Sequence, residues 1–165
     1  MNPDLYLFNI INRQVKKSKM LDLSAVFCAE YMGYFLLLFL AVFALAYNSW
    51  QAFFVPLIVG LISRFLITET VYFFYKRKRP VEVLPIIALI KKPNHPSFPS
   101  GHAAFFFGLS LAVLFFNIPL AIAFICATLA ISWGRVFCGV HWPTDILGGV
   151  ASAALACLIV QPFIR

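Results

Sequence analysis

Charge is what this chain has least of. Only 12% of its 165 residues are Asp, Glu, Lys or Arg, where a soluble domain carries about 25%. With 62% hydrophobic residues and a mean hydropathy of +0.91, that scarcity excludes a soluble globular domain. It predicts an integral membrane protein with little mass outside the bilayer. Acidic residues are the rarest, 6 against 13 Lys and Arg. The net charge of +7 would direct a soluble protein to nucleic acid; here it meets lipid headgroups or an anionic substrate, and no nucleic-acid partner is expected. The four cysteines, Cys28, Cys126, Cys138 and Cys157, form no CxxC pair and no clustered spacing. They read as small apolar residues rather than disulfide partners or metal ligands. Repeats and low-complexity linkers are absent, and the length fits one domain over 1–165. The first twenty residues mix Asp4, Arg13, Lys16, Lys17 and Lys19 with short apolar stretches, so no cleavable signal peptide is expected.

What is there is mostly membrane span. A bilayer core of about 30 Å needs about 20 helical residues. Residues 21–47 and 51–75 are long enough, 101–116 make a shorter third run, and 120–133 and 144–164 supply a fourth and fifth. Asn117-Ile118-Pro119 marks a tight hairpin, because a proline cannot continue the preceding helix. The expected fold is an all-α membrane helix bundle of about five spans, six being possible. Ahead of it, Leu5, Tyr6, Phe8, Ile10, Ile11 and Val15 alternate with Asn9, Asn12, Arg13 and Lys16. That stretch is too short and polar to span, and reads as an amphipathic helix on the membrane surface.

Three patches poor in apolar residues lie between the runs: Lys76-Arg77-Lys78-Arg79-Pro80, Pro99-Ser100-Gly101-His102, and Arg135 with His141 and Asp145 after it. With five spans, connectivity puts all three on one membrane face. Ser100 is placed to cap the third run, aiming free backbone N–H groups at the polar face as an anion site. Gly101 admits close approach of an oxygen, and His102 in the first turn is placed to give a proton to a departing oxygen. Alone, this patch reads equally well as an interfacial helix cap. Asp145, in the first turn of the last run, is close enough in sequence to fix the tautomer of His141 and stabilise its positive charge. Alone, that pair is also an interfacial hydrogen bond. Arg135 beside Trp133 reads in isolation as an interfacial anchor, a reading that weakens once His102 shares its face. Glu69, Tyr72, Lys76 and Arg79 fall at helical spacing and are expected on one face looking into the pocket. Lys91 and Lys92 flank a proline-rich loop and attract headgroups, and His95 within it reads first as a loop residue, with a catalytic role as the lesser alternative. Glu30 and Arg64 lie deep in spans one and two. At 1.5 Å per residue they come to similar depth, so an Arg64–Glu30 bridge is expected, with an ion or proton pathway as the sharper alternative.

Taken together, Arg79-Pro80, Pro99-Ser100-Gly101-His102 and Arg135…His141…Asp145 resemble the type-2 phosphatidic acid phosphatase superfamily. That superfamily also includes bacterial acid phosphatases and vanadium haloperoxidases. Its pattern is Lys-x6-Arg-Pro, then Pro-Ser-Gly-His, then Ser-Arg-x5-His-x3-Asp, and the resemblance runs from about span two to the end. It implies His141 as a nucleophile forming a phosphohistidine, Asp145 as its orienting partner and His102 as general acid. It implies Arg79, Arg135, Ser100 and the Gly101 amide as phosphate ligands, with no metal and no cofactor. Two positions depart from the pattern: Tyr72 stands for the lysine and Gly134 for the serine. Lys76, one helical turn beyond Tyr72, is expected to supply the missing charge.

The short length, the surface helix and residues 21–31 resemble the short bacterial undecaprenyl-diphosphate phosphatase branch. The implied activity is removal of the terminal phosphate of a polyprenyl diphosphate in the cell membrane. Phosphatidylglycerophosphate, phosphatidate and lipid A phosphatases share the same core. A non-catalytic lipid-binding or transport protein is the distant rival, and haloperoxidases of this superfamily are larger and soluble. The many cations on the catalytic face would make it cytoplasmic by the positive-inside rule; the carrier-recycling role implied by the resemblance puts it on the extracytoplasmic side, which is the expectation adopted.

Overall fold

The structure, a computed structural model, describes residues 3–164. Helix α1 is Pro3–Asn12. Helix α2, Lys19–Ala46, carries a π-helical turn at Phe27–Tyr31, and α3, Gln51–Phe74, carries another at Ile62–Ile67. A single helical turn, α4 (Pro80–Val83), precedes α5 (Gly101–Val113), α6 (Ile118–Phe137) and α7 (Pro143–Val160), which ends in a 3₁₀ turn. No strand occurs among the described residues. Helix starts follow local chemistry. Ser18, Ser100 and Asn117 each accept a backbone N–H of the first turn, and Pro143 opens α7 where its missing N–H costs no hydrogen bond.

Four helices, α2, α3, α6 and α7, are long and apolar enough to cross a membrane, and α5 is a shorter apolar helix. This is the expected five-run arrangement, and the protein is integral to the membrane. At 13 residues α5 spans only about 20 Å. It needs no full lipid-facing length because α3, α6 and α7 surround it. Its buried Ala103, Ala104, Gly108 and Ala112 let those neighbours approach closely. Deeper in, Ser110 Oγ lies 3.0 Å from Thr128 Oγ1 and donates to Phe106 O, so these two hydroxyls between α5 and α6 are satisfied. Large apolar side chains cover the outside instead: Tyr34, Phe35, Leu38 and Phe39 on α2, Phe54 and Ile58 on α3, Leu155 and Leu158 on α7. That is the arrangement a lipid solvent favours.

Helix α1 is amphipathic as expected, and its buried face is docked on the bundle. Phe8 is fully buried, its ring 5.2 Å from Trp142, and Asn12 Nδ2 donates to Phe137 O at the end of α6. Tyr6, Leu7 and Ile10 face outward. The loops over 75–100 and 138–142 lie at the α1 end of the bundle. The turns at 47–50 and 114–117 lie at the other, so the three polar patches share one side.

Candidate active site

The site is assembled from α3, α5, α6, α7 and the loop over 75–100. Helix α3 stops at Phe74, and Tyr75 is extended (φ −127°, ψ 106°). From there the basic run alternates as a strand would: Lys76 and Lys78 are exposed while Arg77 and Arg79 turn inward. The expected common helical face for Glu69, Tyr72, Lys76 and Arg79 is therefore incorrect, because the helix ends before Lys76. Lys76 lines an outer cavity with Lys78, Glu82 and Lys92, not the one that holds His102 and Arg135.

Arg79 is fully buried, and among the described residues its guanidinium hydrogen-bonds only to neutral groups. Nη1 donates to Val140 O (2.6 Å) and lies 3.1 Å from His141 Nε2. Nη2 donates to Pro96 O and lies 3.1 Å from His95 Nδ1. Glu82, three residues on, accepts the Arg79 backbone N–H and Lys92 Nζ rather than the guanidinium. Burial pushes Arg79 down to about 10, aided by the charge of Arg135. It remains a cation at neutral pH, without a carboxylate of its own.

His141 is also buried. Its Nδ1 faces two acceptors, Ser97 O at 3.0 Å and Asp145 Oδ2 at 3.3 Å, so Nδ1 carries the proton. Its Nε2 faces the donor-only guanidinium of Arg79 and holds a lone pair. Burial first, then the charges of Arg79 and Arg135, holds the imidazole well below its ordinary range, so it is neutral at pH 7. Asp145 is fixed from three further sides: Ser97 Oγ donates at 2.5 Å, Trp142 N at 2.8 Å and Arg77 Nη1 at 2.7 Å. Arg77 also donates to Thr144 Oγ1 and pairs with Asp4, and Asp4 accepts from the backbone and hydroxyl of Thr144. The first helix is thus tied to the start of α7 through one buried ionic cluster.

Arg135 is 2% exposed. Its Nη1 donates to Glu30 Oε1 at 2.8 Å, and its Nε is buried with no partner among the described residues. The expected Arg64–Glu30 bridge is therefore not formed: Glu30 pairs with Arg135, and Arg64 pairs with Glu69 at 2.5 Å. The reason is the two π turns, which contain Glu30 and Arg64 respectively. Each adds a residue to its turn and rotates those side chains off the face a regular helix would give them. Ser100 caps α5 through Ala103 N, and its own N–H donates to Asp145 O at 2.9 Å. His102 is exposed into a polar cavity of about 300 Å³ shared with Glu30, Lys91, Lys92, His95 and Arg135. The cations nearest to it are Arg135, in the same cavity, and Arg64, in the adjoining cleft. His102, His141, Asp145, Arg79, Arg135, Ser100 and Gly101 thus converge; Lys76 does not. No group of three His, Cys, Asp or Glu side chains is arranged to hold a metal ion among the described residues.

Three residues that the motifs missed belong here. Arg77 braces Asp145, Ser97 holds both members of the His141–Asp145 pair, and His95 touches Arg79 while stacking on Tyr72 (4.9 Å). For Arg77 the signal was the Lys-Arg-Lys-Arg alternation. For His95 it was a histidine in the proline-rich loop just before Pro99-Ser100-Gly101-His102, and Ser97 had none. Both departures from the pattern have a structural reason. Tyr72 is buried and donates to Pro99 O, fixing the loop before α5. A Cβ at Gly134 would lie 2.7 Å from Ala25 O and 2.9 Å from Ala29 N, so a serine there does not fit between α6 and α2.

The model of the PAP2 superfamily matches residues 53–164, and so spans all three patches. The chain belongs to the PAP2 superfamily. It is a PAP2-type membrane lipid phosphatase, and a hydrolase in consequence. It is 28% identical over 93% of its length to the bacitracin transport permease protein BcrC of Bacillus licheniformis, covering 76% of that protein. It is 25% identical over 97% of its length to the putative undecaprenyl-diphosphatase YbjG of Escherichia coli, covering 82% of it. In fold it is similar to LpxE of Aquifex aeolicus (TM-score 0.73, 24% identity, 96% of this chain and 94% of that one). It is also similar in fold to a transmembrane PAP2-type phosphatidylglycerolphosphate phosphatase of Bacillus subtilis (TM-score 0.67, 19% identity, 100% and 89%).

Proposed function

We propose that the protein removes the terminal phosphate of a lipid diphosphate, undecaprenyl diphosphate being the substrate that its relatives' names favour, through a phosphohistidine on His141. One observation carries the reading: Arg79 is a fully buried cation with no carboxylate partner, 3.1 Å from the lone-pair nitrogen of His141. An uncompensated buried charge is costly, and a substrate phosphate is the anion that relieves it beside the nucleophile. The unpartnered Nε of Arg135 supplies a second donor.

The phosphate draws Arg79 from Nε2, which then attacks phosphorus. The N–P bond forms as the P–O bond to the lipid breaks, and His102 gives its proton to the departing oxygen. Nδ1–H stays on Ser97 O and Asp145, whose charge stabilises the imidazolium. Water, giving a proton back to His102, then attacks phosphorus as the N–P bond breaks, which releases inorganic phosphate and returns the Nε2 lone pair of His141. Guanidinium groups carry the charge that a metal would otherwise carry, so turnover proceeds in EDTA. The site is assigned to the extracytoplasmic face. The carrier-recycling role alone supports that side, because the exposed Arg13, Lys16, Lys17, Lys19, Lys76, Lys78, Lys91 and Lys92 on this face still favour the cytoplasm by the positive-inside rule.

The test is phosphate release by purified protein from undecaprenyl diphosphate, phosphatidylglycerophosphate, phosphatidate and lipid A, with His141→Ala as control. The expected result is preference for the diphosphate, no turnover by the variant, and an acid-labile, base-stable phosphoprotein in wild type. Turnover surviving in His141→Ala overturns the mechanism, and preference for phosphatidate overturns the substrate.

A further inference from the structure

Arg64 is a partly buried cation inside a span that the mechanism above leaves unused. It lies in the π turn of α3 with its side chain 18% exposed, and charged groups inside a span commonly mark function. Its side chain lies flat on the first turn of α5: a Cβ at Gly101 would stand 2.5 Å from Arg64 Nε and 2.8 Å from Cδ. A side chain at 101 would push the guanidinium away from this position at the helix N-terminus. Arg64 and His102 stand in a cleft of about 340 Å³ whose other walls are Leu61, Phe65, Gly101, Phe105 and Phe106. Leu61 and Phe65 are exposed on the outer face of α3, so the cleft is open toward lipid. His102 also lines the polar cavity with Arg135 and His95. The imidazole is therefore the shared wall between a polar chamber and an apolar one.

That placement follows the reaction coordinate. The transferred phosphoryl belongs on the Arg79–Arg135–His141 side. The oxygen protonated by His102 belongs at the wall, and the rest of the leaving group lies beyond it. For a lipid monophosphate the leaving group is a neutral alcohol. For a lipid diphosphate it is a monophosphate ester that is still an anion, and it needs a cation where an apolar chain begins. We propose that Arg64, with the N-terminal turn of α5, holds the phosphate that the lipid keeps, its chain running along the Leu61–Phe65–Phe105 cleft. Arg64 then selects diphosphates over monophosphates. Glu69, its carboxylate partner, is 47% exposed and engages Nη1 alone; the guanidinium lies by the Phe65 and Tyr72 rings, and among the described residues Nε and Nη2 have no hydrogen-bond acceptor, so they can donate to an arriving anion.

This rests on the lipid phosphatase reading, and the assay separates the two. With detergent-solubilised protein, kcat/KM is measured for farnesyl diphosphate and for phosphatidate in wild type, Arg64→Gln and Arg64→Lys. The ratio of diphosphate to monophosphate is expected to fall at least 30-fold in Arg64→Gln and to recover in part in Arg64→Lys. A loss shared equally by both substrates overturns the proposal. Wild type alone gives a second check that no folding defect can blur: farnesyl phosphate should inhibit at least tenfold more tightly than farnesol. Equal inhibition by the alcohol overturns the retained-phosphate site while leaving the phosphatase reading intact. Absence of phosphate release from either substrate by wild type overturns both.

Discussion

Restoring the superfamily's serine at position 134 should damage this protein. Gly134 sits where α6 crosses α2, and the backbone of Ala25 and Ala29 occupies the space a Cβ would need, at 2.7 and 2.9 Å, with Cys28 Cβ at 3.2 Å. Ordinary contact between such atoms is about 3.5 Å or more, so the helices must separate by several tenths of an ångström. Neither colliding backbone atom can rotate away. Overpacking of this kind costs about 1–3 kcal/mol. At about 2–4 °C per kcal/mol for a chain of this length, Gly134→Ser is expected to lower the thermal midpoint in detergent by about 3–10 °C. Activity should fall as well, because Arg135 is the next residue and its 2.8 Å contact with Glu30 crosses the same seam. The reasoning places the cost on the Cβ, so Gly134→Ala must show most of the loss. A serine variant within 1 °C of wild type, or an alanine variant that is neutral while serine is not, refutes it.

Arg77→Ala should destabilise strongly, since it strips a cation from two buried carboxylates, Asp4 and Asp145; breaking a buried pair costs about 3–5 kcal/mol, and partial exposure of Arg77 puts the loss near the lower figure, read as the thermal midpoint. Lys76→Ala should change phosphate release less than about twofold while Arg79→Ala lowers it by about 10²–10³, the loss seen when a preorganised anion donor is removed; equal losses would return Lys76 to the pocket. Acid should destabilise the protein through His141. Its folded pKa lies well below the ordinary imidazole range, by burial and then by Arg79 and Arg135. Below about pH 6.5 the unfolded chain therefore takes a proton that the folded site refuses, and stability falls by up to about 1.4 kcal/mol per pH unit. The midpoint difference between wild type and His141→Gln, followed from pH 7.5 to 5.5, should shift in that direction; a constant difference contradicts it.

The sequence made some of this legible and hid the rest for definite reasons. Span positions follow from run length, and the convergence of the three patches follows from counting crossings, so neither depended on side-chain detail. Ser100, Asn117 and Pro143 were readable as helix starts because their chemistry is local. The π turns were not readable. In runs such as residues 27–31 and 62–67, an added residue per turn breaks no visible period because apolar residues fill most faces. Glu30 and Arg64 were consequently assigned to each other. Residues 75–79 carried a usable sign, Lys and Arg alternating with period two, but a helical reading of the same charges fitted the preceding span and masked it. Gly134 was visible as a departure; its cause, the backbone of α2, lies more than a hundred residues away in sequence.

The four inward arginines differ chiefly in what neutralises them, and that difference orders their roles. Arg77 faces two carboxylates, Asp4 and Asp145, and is bound up in holding α1 and α7 together. Arg135 and Arg64 each face one carboxylate that is itself over 40% exposed, Glu30 and Glu69; those pairs are loose enough for an arriving anion to share the cation. Arg79 faces none. A phosphate should accordingly gain most at Arg79, next at Arg135 and Arg64, and least at Arg77. The first three, Arg79, Arg135 and Arg64, run from His141 through the polar cavity to the lipid-side cleft, along the path a diphosphate headgroup would occupy, while Arg77 stays behind Asp145.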